Sequence, residues 1–389
     1  MLESLSPALA LARLDWSGLL GERAAAWGHG RRGRTTAGGA GRLLRARDGW
    51  LAIQLPRPDD WRLVPAWLEI ELDAQGQRDE QGWAQLTAAI RTRPVEACVE
   101  RARLIGLACA PAPRAPVRDA TFFRFDAADA PDANVGRERG RPLRVLDLST
   151  LWAGPLATSL LACAGASVLK VESPIRPDGA RAGPDAFFDR MNARKCGAAL
   201  DLTHAGDRAR FSELLEETDV VVESARPRAL RQLGFSAEQW IAGRAGRLWL
   251  SITGYSRAHE WIAFGDDAAI AAGLGWSSGT DPDAPCFCGD ALADPLTGLH
   301  AAAIALAFTS HGRGGLVDVA LRDVTACAAG QAIDARAVEV ARAGDGYVVR
   351  DAGETATVAS PRLRETTGTA PALAPLTEET RKAWRNGAC

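Results

Sequence analysis

From Arg144 onward the chain alternates short apolar runs rich in Val, Leu and Ile with longer stretches whose apolar residues recur every three or four positions. Continuous apolar runs predict buried strands, and the 3.6-residue period predicts amphipathic helices. RVLDLS reads as a strand, LATSLLACAGA as a helix and SVLKVES as the next strand. ALDL, the helix RARFSELLEETD, the strand VVVES, a helix from Arg228 to Arg244 and the strand LWLSITGY follow. The apolar helix Thr297 to Thr309, the strand GLVDVAL and the helix RDVTACAAG close the series. Strands that alternate with helices predict an α/β fold with a doubly wound parallel sheet, here a large Rossmann-like domain over 141–340. Such sheets bind ligands beyond the carboxyl ends of their strands, which places the loops after Ser149, Glu172, Glu223 and Thr253 on one functional edge.

The amino-terminal part has a different pattern. Residues 1–43 predict an Ala/Leu-rich helical start and then a loop, HGRRGRTTAGGAG, too rich in Gly and Arg for a core element. Residues 44–118 predict a smaller α+β domain. LLRARDGWLAIQL turns at Asp48-Gly49 into a strand, DDWRLVPAWLEI is an Asp-capped helix, and EACVERARLIGLACAPAP is a helix that stops at prolines. Residues 119–140, rich in Asp, Pro and Gly, read as a linker, and 341–389, rich in Pro, Thr and Glu, as an extended segment.

With 389 residues, 47% hydrophobic and 24% charged, the chain is long enough for two or three globular units. Lys+Arg 46 against Asp+Glu 48 gives a net charge of -2, and the pI is near 6.3, so no basic field exists to hold nucleic acid or an anionic membrane surface. Glu3 stands where a signal peptide carries basic residues, and Arg13 and Asp15 cut the first apolar run short. The longest apolar stretch, Ala301 to Phe308, is far below the roughly 20 residues that span a bilayer, so a cytoplasmic location is expected. Eight cysteines, scattered and partly inside apolar segments, predict reduced thiols rather than a disulfide frame.

Several motifs carry less than their letters promise. Gly28-His29-Gly30-Arg31-Arg32-Gly33 fits GxGxxG but lacks the preceding strand and following helix of a dinucleotide fingerprint. Gly275-Trp276-Ser277-Ser278-Gly279 fits the GxSxG nucleophile elbow without its strand-to-helix context; His300 and His311 keep a serine hydrolase open as an alternative. Cys286-Phe287-Cys288 has the wrong spacing for a zinc half-site, His259-Glu260 lacks the second His of HExxH, and no GxxxxGK[ST] occurs. No metal site is expected.

Six ordered segments resemble the family III coenzyme A transferases and the related α-methylacyl-CoA racemases. They are RVLDLSTLWAGPLATSLLACAGASVLKVESP, MNARKCGAALDL, DVVVESARPRALRQLGF, SITGY with ADPLTG, GRGGLVDVALRD and the closing ASPRL. The resemblance implies a transfer of CoA from an acyl-CoA to a carboxylic acid, with CoA thioesters as substrates, no tightly bound cofactor, and a homodimer. The family's D-x-x-T-G nucleophile falls on Asp294 in Asp294-Pro295-Leu296-Thr297-Gly298, with Asp290 as a nearby decoy. A carboxylate suits this chemistry because it can form an acyl anhydride and then an aspartyl-CoA thioester. Read from the residues alone, Asp before Pro also suits a helix N-cap.

For the CoA moiety the resemblance points to Trp152 and Ala153, to Asn192, Arg194 and Lys195, and to Ser224, Ala225, Arg226 and Arg231. Ser173 and Gln232 stand where relatives often carry arginine, so Arg176 or Arg181 is a candidate substitute. The racemase branch carries a GHD segment, whereas this chain reads Gly265-Asp266-Asp267, which favours transferase over racemase. An acyl-CoA racemase or isomerase using Asp294 with Asp266, or a non-catalytic acyl-CoA binder, are the alternatives. RARDGWLAIQLPRPDDWRLVPAWLEI resembles the family's small-domain stretch, which normally follows the catalytic region but here precedes it. The chain thus reads as permuted, or as the remnant of a tandem duplication.

Overall fold

The computed structural model describes residues 16–71, 79–126, 140–276, 283–330, 339–344, 346–351, 353–365 and 368–389. Ser277 to Gly279 of the GxSxG segment and most of the expected linker lie outside them. Two short helices, α1 (Trp16–Leu19) and α2 (Glu22–Trp27), lead to a hairpin of β1 (Gly41–Arg45) and β2 (Trp50–Gln54). The helices α3 (Pro58–Leu68), α4 (Glu80–Arg91) and α5 (Val95–Leu104) follow. They bury Trp61, Trp67, Trp83, Leu86 and Ile90 with Leu51 and Ile53 of the hairpin. α4 goes beyond the elements expected from sequence; Asp79 caps it by accepting from the N–H groups of Gln81 and Gly82 at 3.0 Å. The single helix expected to run up to the prolines is corrected. Gly106 adopts φ +83 and follows α5, and Ala108–Pro111 then pairs with β2 as the antiparallel strand β3.

After β4 (Arg124–Asp126) come β5 (Arg144–Leu148), α6 (Ala153–Cys163), β6 (Ser167–Glu172), α7 (Asp185–Asn192), β7 (Cys196–Ala199), α8 (Ala205–Glu217) and β8 (Val220–Glu223). The chain continues through α9 (Pro227–Gln232), α10 (Ala237–Ala242), β9 (Leu248–Thr253), α11 (Gly265–Ala271), α12 (Ala293–Ser310), β10 (Gly315–Ala320) and α13 (Leu321–Gly330). The sheet order is β4-β10-β9-β8-β5-β6-β7, parallel except for β4, which is the α/β doubly wound arrangement expected. The chain winds outward from β5 to β7, returns beside β5 at β8, and winds the other way. The switch point, where such sheets hold ligands, is therefore between β5 and β8. Every residue of β6, β8, β9 and β10 is buried, the pattern of strands covered on both faces.

Two expectations here need correction. The helix over Arg228 to Arg244 is two helices, because Gly234 takes φ +92 and Ser236 caps α10 by accepting from the Gln239 N–H at 3.2 Å. The strand expected at ALDL lies a few residues earlier, as β7, which pairs with β6.

The carboxyl-terminal segment is not simply extended. β11 (Glu339–Ala343), β12 (Gly346–Asp351) and β13 (Glu354–Thr357) form an antiparallel sheet, and α14 (Glu378–Asn386) follows. Ahead of α14 the chain runs along β7, where the Ala199 N–H donates to Ala374 O at 2.7 Å. α14 is anchored by Trp384, fully buried, whose Nε1 donates to Ser167 O at 3.0 Å. This docking brings the last residue to the start of β7 and joins Cys389 to Cys196, which corrects the expectation of reduced thiols for that pair. Their sequence separation of 193 hides the proximity. Among the described residues no helix is long and apolar enough to cross a membrane.

Closing so long a loop constrains the unfolded chain, so Cys389→Ser lowers stability by about 2–4 kcal/mol. Denaturant unfolding of variant and parent, each under non-reducing conditions, measures the difference.

Candidate active site

Asp294 is the second residue of α12, and the start of that helix packs against α6. Gly298, one turn on, permits the contact: a Cβ there would lie 2.6 Å from the Ala153 carbonyl oxygen. The N-cap position is Leu292 and no side chain caps the helix, so the capping role the residues alone suggested for Asp294 is not the one it has. Its carboxylate instead faces the backbone N–H groups of Ala153, at the start of α6, and Gly265, at the start of α11. Two helix amino-termini thus converge on one carboxylate. Gly265 has to be glycine, because a Cβ would overlap Asp294 Oδ2 and the Ala291 carbonyl.

The backbone leading to Ala153 and to Asp294 is strained. Of the three non-glycine residues with positive φ among the described residues, Leu151 (φ 69) precedes Ala153 and Ala291 (φ 49) precedes Asp294. The Leu151 turn is held from below. Its N–H donates to Asp178 Oδ1 at 2.8 Å, and Lys170 Nζ lies 2.9 Å from Asp178 Oδ2 and donates to Ser149 O at 2.9 Å. The Ala291 turn is held by Asp266, whose Oδ1 accepts the Ala291 N–H at 2.7 Å. Gln54, the last residue of β2, donates to the other oxygen of Asp266 at 3.3 Å. The N-terminal unit therefore packs on α11, where Leu43, Ala52 and Ile270 share one apolar cluster.

The electrostatics follow from this crowding. Burial pushes the Asp294 carboxyl up to about 7; Asp266 adds to the rise, while the Arg23 guanidinium and the two N–H groups oppose it. Burial likewise pushes Asp267 up to about 8 against the Phe264 N–H, with Asp266 and Asp294 adding to the rise. Asp266 is raised by burial and by Asp290, against Ala291, Arg23 and Gln54. Among the described residues no group of His, Cys, Asp and Glu is arranged to hold a metal ion.

The residues expected to meet CoA divide into three groups. Trp152, buried, and Ala153, the first residue of α6, lie on one side of the switch point, and Ser224, Ala225 and Arg226 lie in the loop on the other. The Thr150 N–H donates to Ser224 Oγ at 3.1 Å, which ties those loops together, and buried Glu223 accepts the Ala225 N–H at 2.9 Å. Arg194, after α7, and Arg231, on α9, are exposed.

Asn192 and Lys195 are buried, with their polar atoms engaged inside. Lys195 Nζ meets Asp147 Oδ2 at 2.9 Å, Pro155 O at 3.0 Å, Thr158 Oγ1 at 2.8 Å and Asn192 Oδ1 at 2.9 Å. Asn192 Nδ2 donates to Phe188 O at 3.0 Å. Through these contacts they brace the amino-terminal turn of α6. Arg181 is likewise engaged, with Glu172 at 2.6 Å and Pro371 O at 3.0 Å, whereas Arg176 is exposed. His300 stacks on Phe122 at 4.8 Å and binds Leu296 O, a packing role.

Sequence reasoning missed Arg23, His29 and Gln54, whose contacts with Asp290 and Asp266 span more than 200 residues. No local pattern marks such pairs. Gly265 stood in a segment already singled out, and its closeness to Asp294 required the fold.

Residues 141–362, more than half the chain, match CoA-transferase family III, and the chain belongs to that family. It is 34% identical over 211 residues to the succinyl-CoA:(R)-benzylsuccinate CoA-transferase subunit BbsE of Thauera aromatica, covering 50% of this chain and 51% of that one. It is 31% identical over 193 residues to the formyl-CoA:oxalate CoA-transferase of Streptomyces coelicolor, covering 46% and 47%. It is 31% identical over 202 residues to the succinate–glutarate CoA-transferase of Agrobacterium fabrum, covering 47% and 50%. A crystal structure of a CAIB/BAIF family protein from Brucella suis aligns with a TM-score of 0.46 at 25% identity, over 53% of this chain and 64% of that one. The chain spans about half the length of the curated relatives it matches.

Asp266, Asp267 and Asp294 hold their protons more tightly folded than unfolded. Their stabilisation is complete below the usual carboxylate range and is lost as pH rises from that range through the folded values, so stability falls between about pH 4 and 8. Asp267→Asn flattens that decline; urea midpoints across the pH range measure it.

Proposed function

We propose that the chain is a CoA-transferase that moves coenzyme A from an acyl-CoA donor to a carboxylic acid acceptor, with Asp294 as the nucleophile. The observation that carries this reading is the Asp294 carboxylate, desolvated to a pKa of about 7 between the Ala153 and Gly265 amides. Near neutrality it is both available as an anion and reactive.

Asp294 attacks the acyl-CoA carbonyl, the C–S bond of the tetrahedral adduct breaks, and CoA leaves as the thiolate, which leaves a mixed acyl-aspartyl anhydride on the side chain. The thiolate attacks the aspartyl carbonyl, giving an aspartyl-CoA thioester and releasing the donor acid with one oxygen that came from Asp294. The acceptor carboxylate attacks that thioester, forming a second anhydride and freeing the thiolate. The thiolate then attacks the acceptor carbonyl, which yields the new acyl-CoA and regenerates Asp294. N–H groups already aimed at the carboxylate are placed to steady the oxyanions formed at its carbon. Burial beside the apolar cluster of Trp152, Ala291 and Ala293 keeps water from either covalent intermediate.

Trp152 and Ala153, with Ser224, Ala225 and Arg226, form the inner part of the CoA site, and Arg194 and Arg231 its outer cations. CoA is substrate rather than a resident cofactor, the assembly is a homodimer, and the setting is the cytoplasm. The segment 44–118 serves as the small domain that backs the site. Formyl-CoA and succinyl-CoA, named for the relatives, are the first donors to try. A proton-transfer mechanism would ask Asp266 to move a proton at substrate, yet both its oxygens are held by Ala291 and Gln54. That favours transfer.

Incubation with formyl-CoA, succinyl-CoA and a panel of other acyl-CoAs in the presence of hydroxylamine converts the Asp294 side chain to a hydroxamate, read by peptide mass mapping. Asp294→Asn abolishes the modification. An unmodified Asp294 peptide with every donor contradicts the proposal.

A further inference from the structure

Three segments far apart in sequence meet behind Asp294, and one of them lies outside residues 141–362. Arg23, on α2, pairs through Nη1 with Asp290 Oδ1, and His29, just after α2, places Nδ1 3.3 Å from Asp290 Oδ2. The Asp290 side chain is only 2% exposed, so its two oxygens are held by groups from the amino-terminal segment rather than by water. Asp290 directly precedes Ala291, the left-handed residue whose N–H donates to Asp266 and whose carbonyl accepts the Asp294 N–H at 2.9 Å. Gly265 is wedged against that same carbonyl and against the Asp294 carboxylate. The turn therefore has no slack. A displaced Asp290 carries Ala291 with it, and Ala291 carries the hydrogen bonds that set both Asp266 and the first turn of α12.

We propose that Arg23 and His29 are positioning residues for Asp294, acting through Asp290, so that the amino-terminal segment is a working part of the site. This rests on reading Asp294 as the reacting carboxylate. The charged and titratable groups that act on it are Arg23 from α2 and Asp266 and Asp267 from α11; Asp290, in the preceding turn, acts on Asp266 and holds Arg23 and His29. Arg23 is the cation whose field opposes the rise caused by burial and by Asp266. Loss of Arg23 both removes that field and leaves a buried carboxylate short of its partner, a change in the direction of higher proton affinity at the cluster.

The test follows the Asp294 carboxyl directly, by carbon-13 NMR titration of the full chain, with the resonance assigned by its loss in Asp294→Asn. In Arg23→Gln the titration midpoint moves above that of the parent, and hydroxylamine trapping at pH 7 falls about five-fold, as a rise of one pH unit from a midpoint of 7 requires. Arg23→Lys returns both most of the way. A folded Arg23→Gln with the parent's midpoint and trapping rate overturns the proposal. Should Arg23→Gln not fold, His29→Phe, which removes only the second anchor of Asp290, carries the same test, and an unchanged midpoint there overturns it. A raised midpoint in a protein that no acyl-CoA labels leaves the positioning role standing and removes the transferase reading instead.

Discussion

A single carboxylate, placed where the amino-termini of two helices converge and where water is scarce, governs the arrangement around it. Burial and Asp266 push the Asp294 carboxyl up, and the amides of Ala153 and Gly265 with the Arg23 guanidinium oppose that rise, which leaves it at about 7. That balance needs close approach, which explains why glycine occupies 265 and 298: a side chain at either position would strike the Asp294 carboxylate or the Ala153 carbonyl. It also needs rigid approach. The Leu151 and Ala291 turns take unfavourable backbone conformations, and each is held by a buried carboxylate, Asp178 or Asp266.

Below those turns lies a layer of buried charge that is easier to understand as scaffolding than as stabilisation. Lys170 with Asp178 and Lys195 with Asp147 are pairs whose side chains have no solvent exposure. Taking such ions out of water costs several kcal/mol each, repaid only when geometry and added hydrogen bonds are good. Lys195 makes four close polar contacts, and burial still lowers its pKa to about 8 despite Asp147. The reward is a fixed shape for the first turn of α6, which presents the Ala153 amide. The same logic places the N-terminal unit: Gln54 reaches Asp266 from β2, so a segment that precedes the sheet in sequence braces the helix that carries Gly265.

Much of this was legible before the fold was known, because strands buried on both faces and helices with a 3.6-residue period leave strong local signals. The β5-to-β10 rhythm, the loops at the strand ends and the DPLTG segment all carried such signals. Long-range partnerships did not. Nothing local pairs Lys195 with Asp147, 48 residues away, and Cys196 reads as a small apolar residue until α14 docks and brings Cys389 to it. The carboxyl-terminal helix itself had a signal that the Pro- and Thr-rich composition masked: Thr377 accepting from the Thr380 N–H, acidic residues in the first turn and Gly387 in a left-handed cap. Arg23 had none, since its meaning lies in a contact with Asp290 across 267 residues.

The central claim, that Asp294 alternates between anhydride and thioester, is tested most directly by following oxygen atoms. With a donor that the protein consumes and an acceptor acid labelled with oxygen-18 in its carboxylate, the mechanism returns one acceptor oxygen to the Asp294 carboxyl in each cycle. Mass mapping of the peptide that contains Asp294 should then show an increase of two mass units after a single turnover, and up to four after many, that Asp294→Asn lacks. Formation of the new acyl-CoA with no label at Asp294 would contradict the account, since the acceptor would have received CoA without ever bonding to this side chain.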